Sequence, residues 1–173
     1  MAGRDFNGTY NPLEKSKLLS QRAFEYKIES FDSESTKNIF VVGDSFARDV
    51  VNIVVESFDL VGAQLIYSDE YDACQVLYDF EQRGKSYDSD VILFGSNYLE
   101  TRHCIPELIN KVEAVGNNIF FVGTKQFGYN LNWVSRLPAD EKILLKNSVL
   151  PATIMTEKSL KAAVGIEANF ISI

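Results

Sequence analysis

Short, unbroken apolar runs alternate along this chain with stretches whose apolar residues recur every three or four positions. NIFVV (38–42) is β-branched and bounded by Lys37 and Gly43, which suits a strand buried on both faces. SFARDVVNIVVESF (45–58) follows at once. It places Phe46, Val50, Val51, Ile53, Val54 and Phe58 at helical spacing, with Arg48, Asp49, Asn52 and Glu56 opposite. The same alternation predicts strands over 62–68, 90–96, 117–124 and 168–173. It predicts helices over 72–84, with Val76, Leu77 and Phe80 inward and Gly84 ending it, over 101–116, closed by Gly116, and over 156–165, capped by Thr156. Single helices between buried-type strands mean a parallel sheet covered on both faces. The expected fold is a three-layer α/β/α sandwich on a five-stranded parallel sheet, occupying residues 37–173.

Two segments break the rhythm. Residues 1–36 form a polar lead-in, in which NPLEKSKLLSQRAFEYKI suggests a short helix and ESFDSEST a linker. Residues 125–155 carry the only Trp and no clear period. A loop-rich insertion of that length either covers a site or packs Trp133 on the core.

Composition narrows the function classes more than the fold. At 46% hydrophobic and 24% charged residues, the 173-residue chain is one globular domain. A net charge of −7 opposes nucleic acid, whose phosphates demand clustered Lys and Arg. No apolar run approaches the ~20 residues that span a bilayer, and MAGRDFNGTY has no apolar signal-peptide core. The expectation is a soluble chain that does not export itself: a cytoplasmic protein, or a piece of a longer exported or membrane-anchored one. Cys74 and Cys104 match no zinc or redox spacing. Each falls near the start of an expected helix, which leaves a bridge or two buried thiols open.

In an open parallel sheet, ligands bind beyond the carboxyl ends of the strands. Four expected strands end there in small or polar residues: Gly43-Asp44-Ser45, Ser68-Asp69, Gly95-Ser96-Asn97 and Gly123-Thr124-Lys125. Ser45, at the start of a helix, has a backbone N–H and a helix dipole that favour negative charge. Its hydroxyl could attack an acyl carbon while that N–H meets the developing oxyanion. The plainer alternative is that Asp44 or Ser45 only caps the helix. Neither a P-loop nor a G-x-G-x-x-G after the first strand is present, which speaks against a phosphate-binding loop; the expectation is no cofactor and no metal.

Gly43-Asp44-Ser45 after the first strand, followed by Gly95-x-Asn97 after the third, resembles the SGNH (GDSL-like) hydrolase superfamily. The resemblance implies the same sandwich, with Ser45 as nucleophile and Asn97 as oxyanion donor beside the backbone of Gly43, Asp44 and Gly95. The family's second block is a glycine just after strand two; here Ser68 is the nearest candidate donor. Asn97 is followed by Tyr98 where the family has Asp. The family's Asp-x-x-His lies after the last strand, where this chain stops, so the resemblance implies a C-terminally truncated domain with its base beyond Ile173, inactive as this 173-residue chain. The single histidine, His103, falls at the start of the third helix.

The acidic domain with its polar lead-in looks most like the extracytoplasmic SGNH domain fused to membrane sugar O-acyltransferases. That likeness implies an acyl donor, a carbohydrate acceptor and a covalently linked membrane acyltransferase domain, with Lys125 and Trp133 on the sugar. The rival readings are a catalytically degenerate glycan-binding domain and a flavodoxin-like binding or interaction domain.

Overall fold

The computed structural model describes residues 21–70, 72–96, 102–123, 151–165 and 169–171. Five parallel strands, β1 (Lys37–Gly43), β2 (Ala63–Ser68), β3 (Val91–Gly95), β4 (Asn118–Val122) and β5 (Phe170–Ile171), form one sheet in the order β2-β1-β3-β4-β5. Among the described residues, four α-helices flank them: α1 (Ser45–Ser57), α2 (Ala73–Glu81), α3 (Ile105–Ala114) and α4 (Pro151–Val164). The fold is the expected α/β sandwich.

The layering follows from the strand order. The chain steps one way from β1 to β2 and the other way at every later crossover, and crossovers between parallel strands are right-handed. The helix of the first crossover therefore stands on the opposite face from the rest. α1 buries Phe46, Ala47, Val50, Val51 and Val54 against Val41, Leu65, Tyr67 and Val122. α2, α3 and α4 cover the other face, over Phe40, Val42, Ile66, Ile92, Phe94, Ile119 and Phe121. Successive residues of β1 thus serve two different cores, which is why its sequence reads as an unbroken apolar run.

Element edges depart from the sequence reading in four informative places. α2 ends at Glu81, before the expected stop at Gly84. Arg83 takes the left-handed conformation (φ 54°), and Gly84 instead lies against Asp79, whose Oδ1 would stand 2.0 Å from an added Cβ. The helix expected over 101–116 is a 3-10 turn, Arg102–Cys104, running into α3; Gly116 does close it, in the left-handed region at φ 86°. The last helix begins at Pro151, whose fixed φ suits a first helical position, so Thr156 is inside the helix and does not cap it. β5 is confined to Phe170 and Ile171.

On α1, Ile53 and Phe58 are exposed and Asn52 is buried, against the expected faces. Ala23 of the 3-10 turn Ala23–Tyr26 is fully buried with the α1 core, and Arg22 pairs with Glu56 at 3.1 Å, one turn beyond Asn52. A segment outside the sheet thus packs along the side of α1 that its own periodicity marks as polar.

What positions the first βα turn is a contact between two glycines. Gly43 pairs with Gly95 across β1 and β3, and a Cβ on Gly43 would stand 2.1 Å from the Gly95 carbonyl oxygen. A Cβ on Gly95 would in turn stand 3.2 Å from Ala47 Cα. Gly43 also holds φ at 140°, a conformation L side chains rarely adopt. The first turn of α1 can lie on the ends of β1 and β3 only because both positions lack a side chain.

Substitution should rank these features. Gly43→Ala should cost more than about 3 kcal/mol, since it combines backbone strain with a backbone clash. Val51→Ala, at a fully buried position of α1, should cost about 2 kcal/mol from lost methyls and the cavity left behind. Chemical denaturation of the variants would check the order; a Gly43→Ala protein as stable as wild type would show that the two strand ends do not touch as described.

Candidate active site

The carboxyl edge of the sheet gathers the described part of the site. Asp44, extended at φ −76° and ψ −156°, is the N-cap of α1. Its carboxylate accepts the Phe46 N–H at 2.7 Å, and its carbonyl accepts the Ala47 N–H at 3.0 Å. Ser45 is the first helical residue and is exposed. Its hydroxyl makes no hydrogen bond among the described residues. The two alternatives left open by the sequence are thereby divided between neighbours: Asp44 caps, and the Ser45 hydroxyl stands at the positive end of the helix without that duty.

The sheet order gives this turn its setting. β1 is where the crossovers diverge, one going to β2 beneath α1 and the rest toward β3 on the opposite face. A crevice opens at such a switch point, beyond the strand ends. Gly43 and Gly95, the ends of the two strands at that point, are both buried, and Ser96 beyond Gly95 is also buried. Asn97, Lys125 and Trp133 lie outside the described residues.

Ser68 ends β2, paired with Val42 of β1, and is half-buried. Its Oγ accepts the Glu70 N–H at 3.3 Å. It also borders a cleft of about 190 Å³ between the sheet and α2, whose floor includes Phe40, Val42 and Val76 and whose polar lining includes Glu70 and Gln75. Ser68 therefore sits next to the Gly43 turn, with its hydroxyl committed to shaping the following loop.

A compact charged group flanks the same edge on the α1 face. Lys27 and Asp69 pair at 2.6 Å, and the Lys27 ammonium lies over the Phe24 and Tyr67 rings at 5.1 and 5.9 Å. Arg48 lies over the same Phe24 ring at 5.6 Å. The hydrogen bond from Lys27 holds the Asp69 carboxyl below its usual range. Burial, reinforced by the negative charges of Asp69 and Asp44, pushes the Tyr67 phenol up to about 12. Tyr67 is therefore a neutral phenol at ordinary pH, with Phe24 edge-on at 6.1 Å.

On the opposite face, Cys74 in the first turn of α2 and Cys104 at the N-cap of α3 form a disulfide with Cα atoms 5.2 Å apart. Of the two possibilities left by the sequence, the bridge is the one present. It closes a loop of 30 residues, worth about 3–4 kcal/mol on the chain-entropy account. His103 is exposed, and its Nε2 lies 3.5 Å from Cys74 Sγ. The histidine thus faces the bridge between α2 and α3, with no hydrogen bond to Ser45. Sequence spacing alone conceals this grouping. The signal that reveals it is topological: α2 and α3 follow successive crossovers of the same hand, so their N-termini are neighbours on one face.

No protein-family model matches the chain, and no curated protein matches it in sequence. Among solved structures, a crystal structure of a "putative acylhydrolase" from Bacteroides fragilis is similar over 94% of this chain and 78% of its own, at 15% identity and a TM-score of 0.45.

Proposed function

We propose that this chain is an SGNH-type serine esterase or O-acyltransferase domain that moves an acyl group, acetyl above all, to or from a carbohydrate through acyl-Ser45. The observation that carries the reading is the division of labour at the first βα turn. Asp44 alone caps α1, and Ser45 is exposed at the helix N-terminus, beyond the sheet's switch point.

In this reading the Ser45 oxygen attacks the acyl carbon, its proton passes to a base, and the alcohol of the donor leaves with a proton. Water or a sugar hydroxyl then takes the acyl group from Ser45. The Ser45 N–H and the Asn97 side chain, two residues beyond the paired Gly43 and Gly95, receive the oxyanion. Ser68 stands on the far side of the Gly43 turn as a further backbone donor, and Lys125 and Trp133 hold the sugar. His103, the chain's only histidine, lies at the α2–α3 junction, 3.5 Å from Cys74 Sγ, and the reading does not take it as the base. The disulfide supports an oxidising, extracytoplasmic setting, as the linkage to a membrane acyltransferase requires.

One observation favours a second reading. Among the described residues no base stands against Ser45, which suits a degenerate domain that binds a glycan without turning it over.

A single set of assays separates the two. Supplied with its base, the domain should form from an activated acetyl ester an acetyl adduct that peptide mass mapping places on Ser45, and Ser45→Ala should reduce turnover to background. Loss of the nucleophile costs up to about 10⁶ in well-studied serine hydrolases. Asn97→Ala should lower turnover by about 10²–10³ while leaving the fold intact. Ester cleavage unchanged by Ser45→Ala, or saturable glycan binding with no adduct, would overturn the catalytic reading. Because Asp44 holds the cap, Ser45→Ala should cost less than about 0.5 kcal/mol of stability, against about 1 kcal/mol for Asp44→Ala.

A further inference from the structure

Cys74, His103 and Cys104 come together from two helix starts, on the opposite face of the sheet from α1. One donor atom from each lies within 4.8 Å of the other two. Both cysteines are half-buried and the imidazole is exposed, so the group opens to solvent. We propose that these three residues form a redox-gated site for a thiophilic divalent cation, zinc above all, with the disulfide and the bound metal as alternative states of the same pair.

The chemistry of the donor set points to that ion. Two thiolates neutralise a dication, and an imidazole completes a Cys₂His set of the kind zinc takes, leaving a fourth position for water. The geometry is close to what the ion needs. Around tetrahedral zinc, with bonds of about 2.0–2.3 Å, neighbouring donor atoms stand roughly 3.5–3.8 Å apart. His103 Nε2 is already 3.5 Å from Cys74 Sγ. With the Cα atoms 5.2 Å apart, side-chain rotation alone can separate the two sulfurs to that range once their bond is broken.

Breaking it is a two-electron step. A dithiol attacks one sulfur, forming a mixed disulfide and releasing the other cysteine as a thiol. The second thiol of the reagent then displaces the first cysteine, leaving as its own disulfide. Cys74 and Cys104 have each gained a hydrogen, and metal binding releases those two protons to water. Either state ties the start of α2 to the start of α3, so the fold keeps its clasp while its chemistry changes.

Cobalt(II), whose colour reports its ligands, is the probe. Protein reduced with a dithiol and freed of reagent without air should bind one cobalt ion per chain, with tetrahedral d–d bands and thiolate-to-cobalt charge transfer. Zinc should displace it. The oxidised protein should show neither signature. Cys104→Ser should abolish the charge transfer of a two-thiolate site. His103→Ala, an exposed position whose loss should leave metal-free melting of the reduced protein unchanged, should weaken cobalt binding at least about tenfold. A reduced protein showing only the spectrum of the hydrated ion, equal binding by the oxidised protein, or unchanged affinity in His103→Ala would overturn the proposal.

Discussion

Gly43 and Gly95 meet across β1 and β3 with no side chain between them, and the rest of the functional edge depends on that contact. Strand ends usually separate as the sheet twists and as side chains of the following turns crowd them. Here the missing Cβ atoms let the first turn of α1 settle onto both strands, with Ala47 at van der Waals range of Gly95. The helix start is thereby fixed relative to two neighbouring strands rather than to its own strand alone. A residue at the first helical position inherits that precision, and so does whatever follows β3. A site on such a turn is supported by the sheet itself, which holds a reacting group better than a free loop could.

Much of this was legible because local and global signals agree. The buried strands had to be apolar on both faces, since right-handed crossovers put helices above and below them, and the runs at 38–42 and 90–96 read accordingly. Gly43-Asp44-Ser45 was legible as a helix start for the same reason: a glycine for the tight exit, an acid for the cap. What the pattern could not assign was which of Asp44 and Ser45 did the capping, because both residue types accept the same amide hydrogen. Backbone geometry decides that, and geometry has no trace in a tripeptide.

The misreadings share another cause. Helical periodicity reports what packs on the sheet, and it is silent about a second layer. Asn52 reads as a solvent-facing residue on α1, yet it is buried, and the lead-in packs on the same helix through Ala23 and the Arg22–Glu56 pair. Thr156 reads as a cap because Thr precedes an apolar period, whereas the proline five residues earlier starts the helix. Cys74 and Cys104, 30 residues apart, match no motif because their proximity is a property of crossover direction. Of the candidate site, the Ser45 turn was readable from adjacent residues, while the cysteine–histidine grouping required the strand order first.

The two faces of the sheet therefore divide the molecule's chemistry. On the α1 face, charge near the site is already satisfied: Asp69 is paired with Lys27, Arg48 lies on an aromatic ring, and the Tyr67 phenol does not ionise. A charge-balanced surround leaves the helix dipole and the free amide at Ser45 as the local source of positive potential, which is the field an oxyanion needs. On the α2–α3 face, the polarizable groups are two sulfurs and an exposed imidazole, clasped at the starts of two helices. Because the sheet separates them, an event at the sulfurs reaches the Ser45 turn only through the packed strands between. The register that places Gly43 beside Gly95 is the shared element: α3 follows β3, and α1 rests on its end. The clasp also reaches the same turn from the other side, since α2 follows β2 and Ser68 at the end of β2 pairs with Val42 next to Gly43.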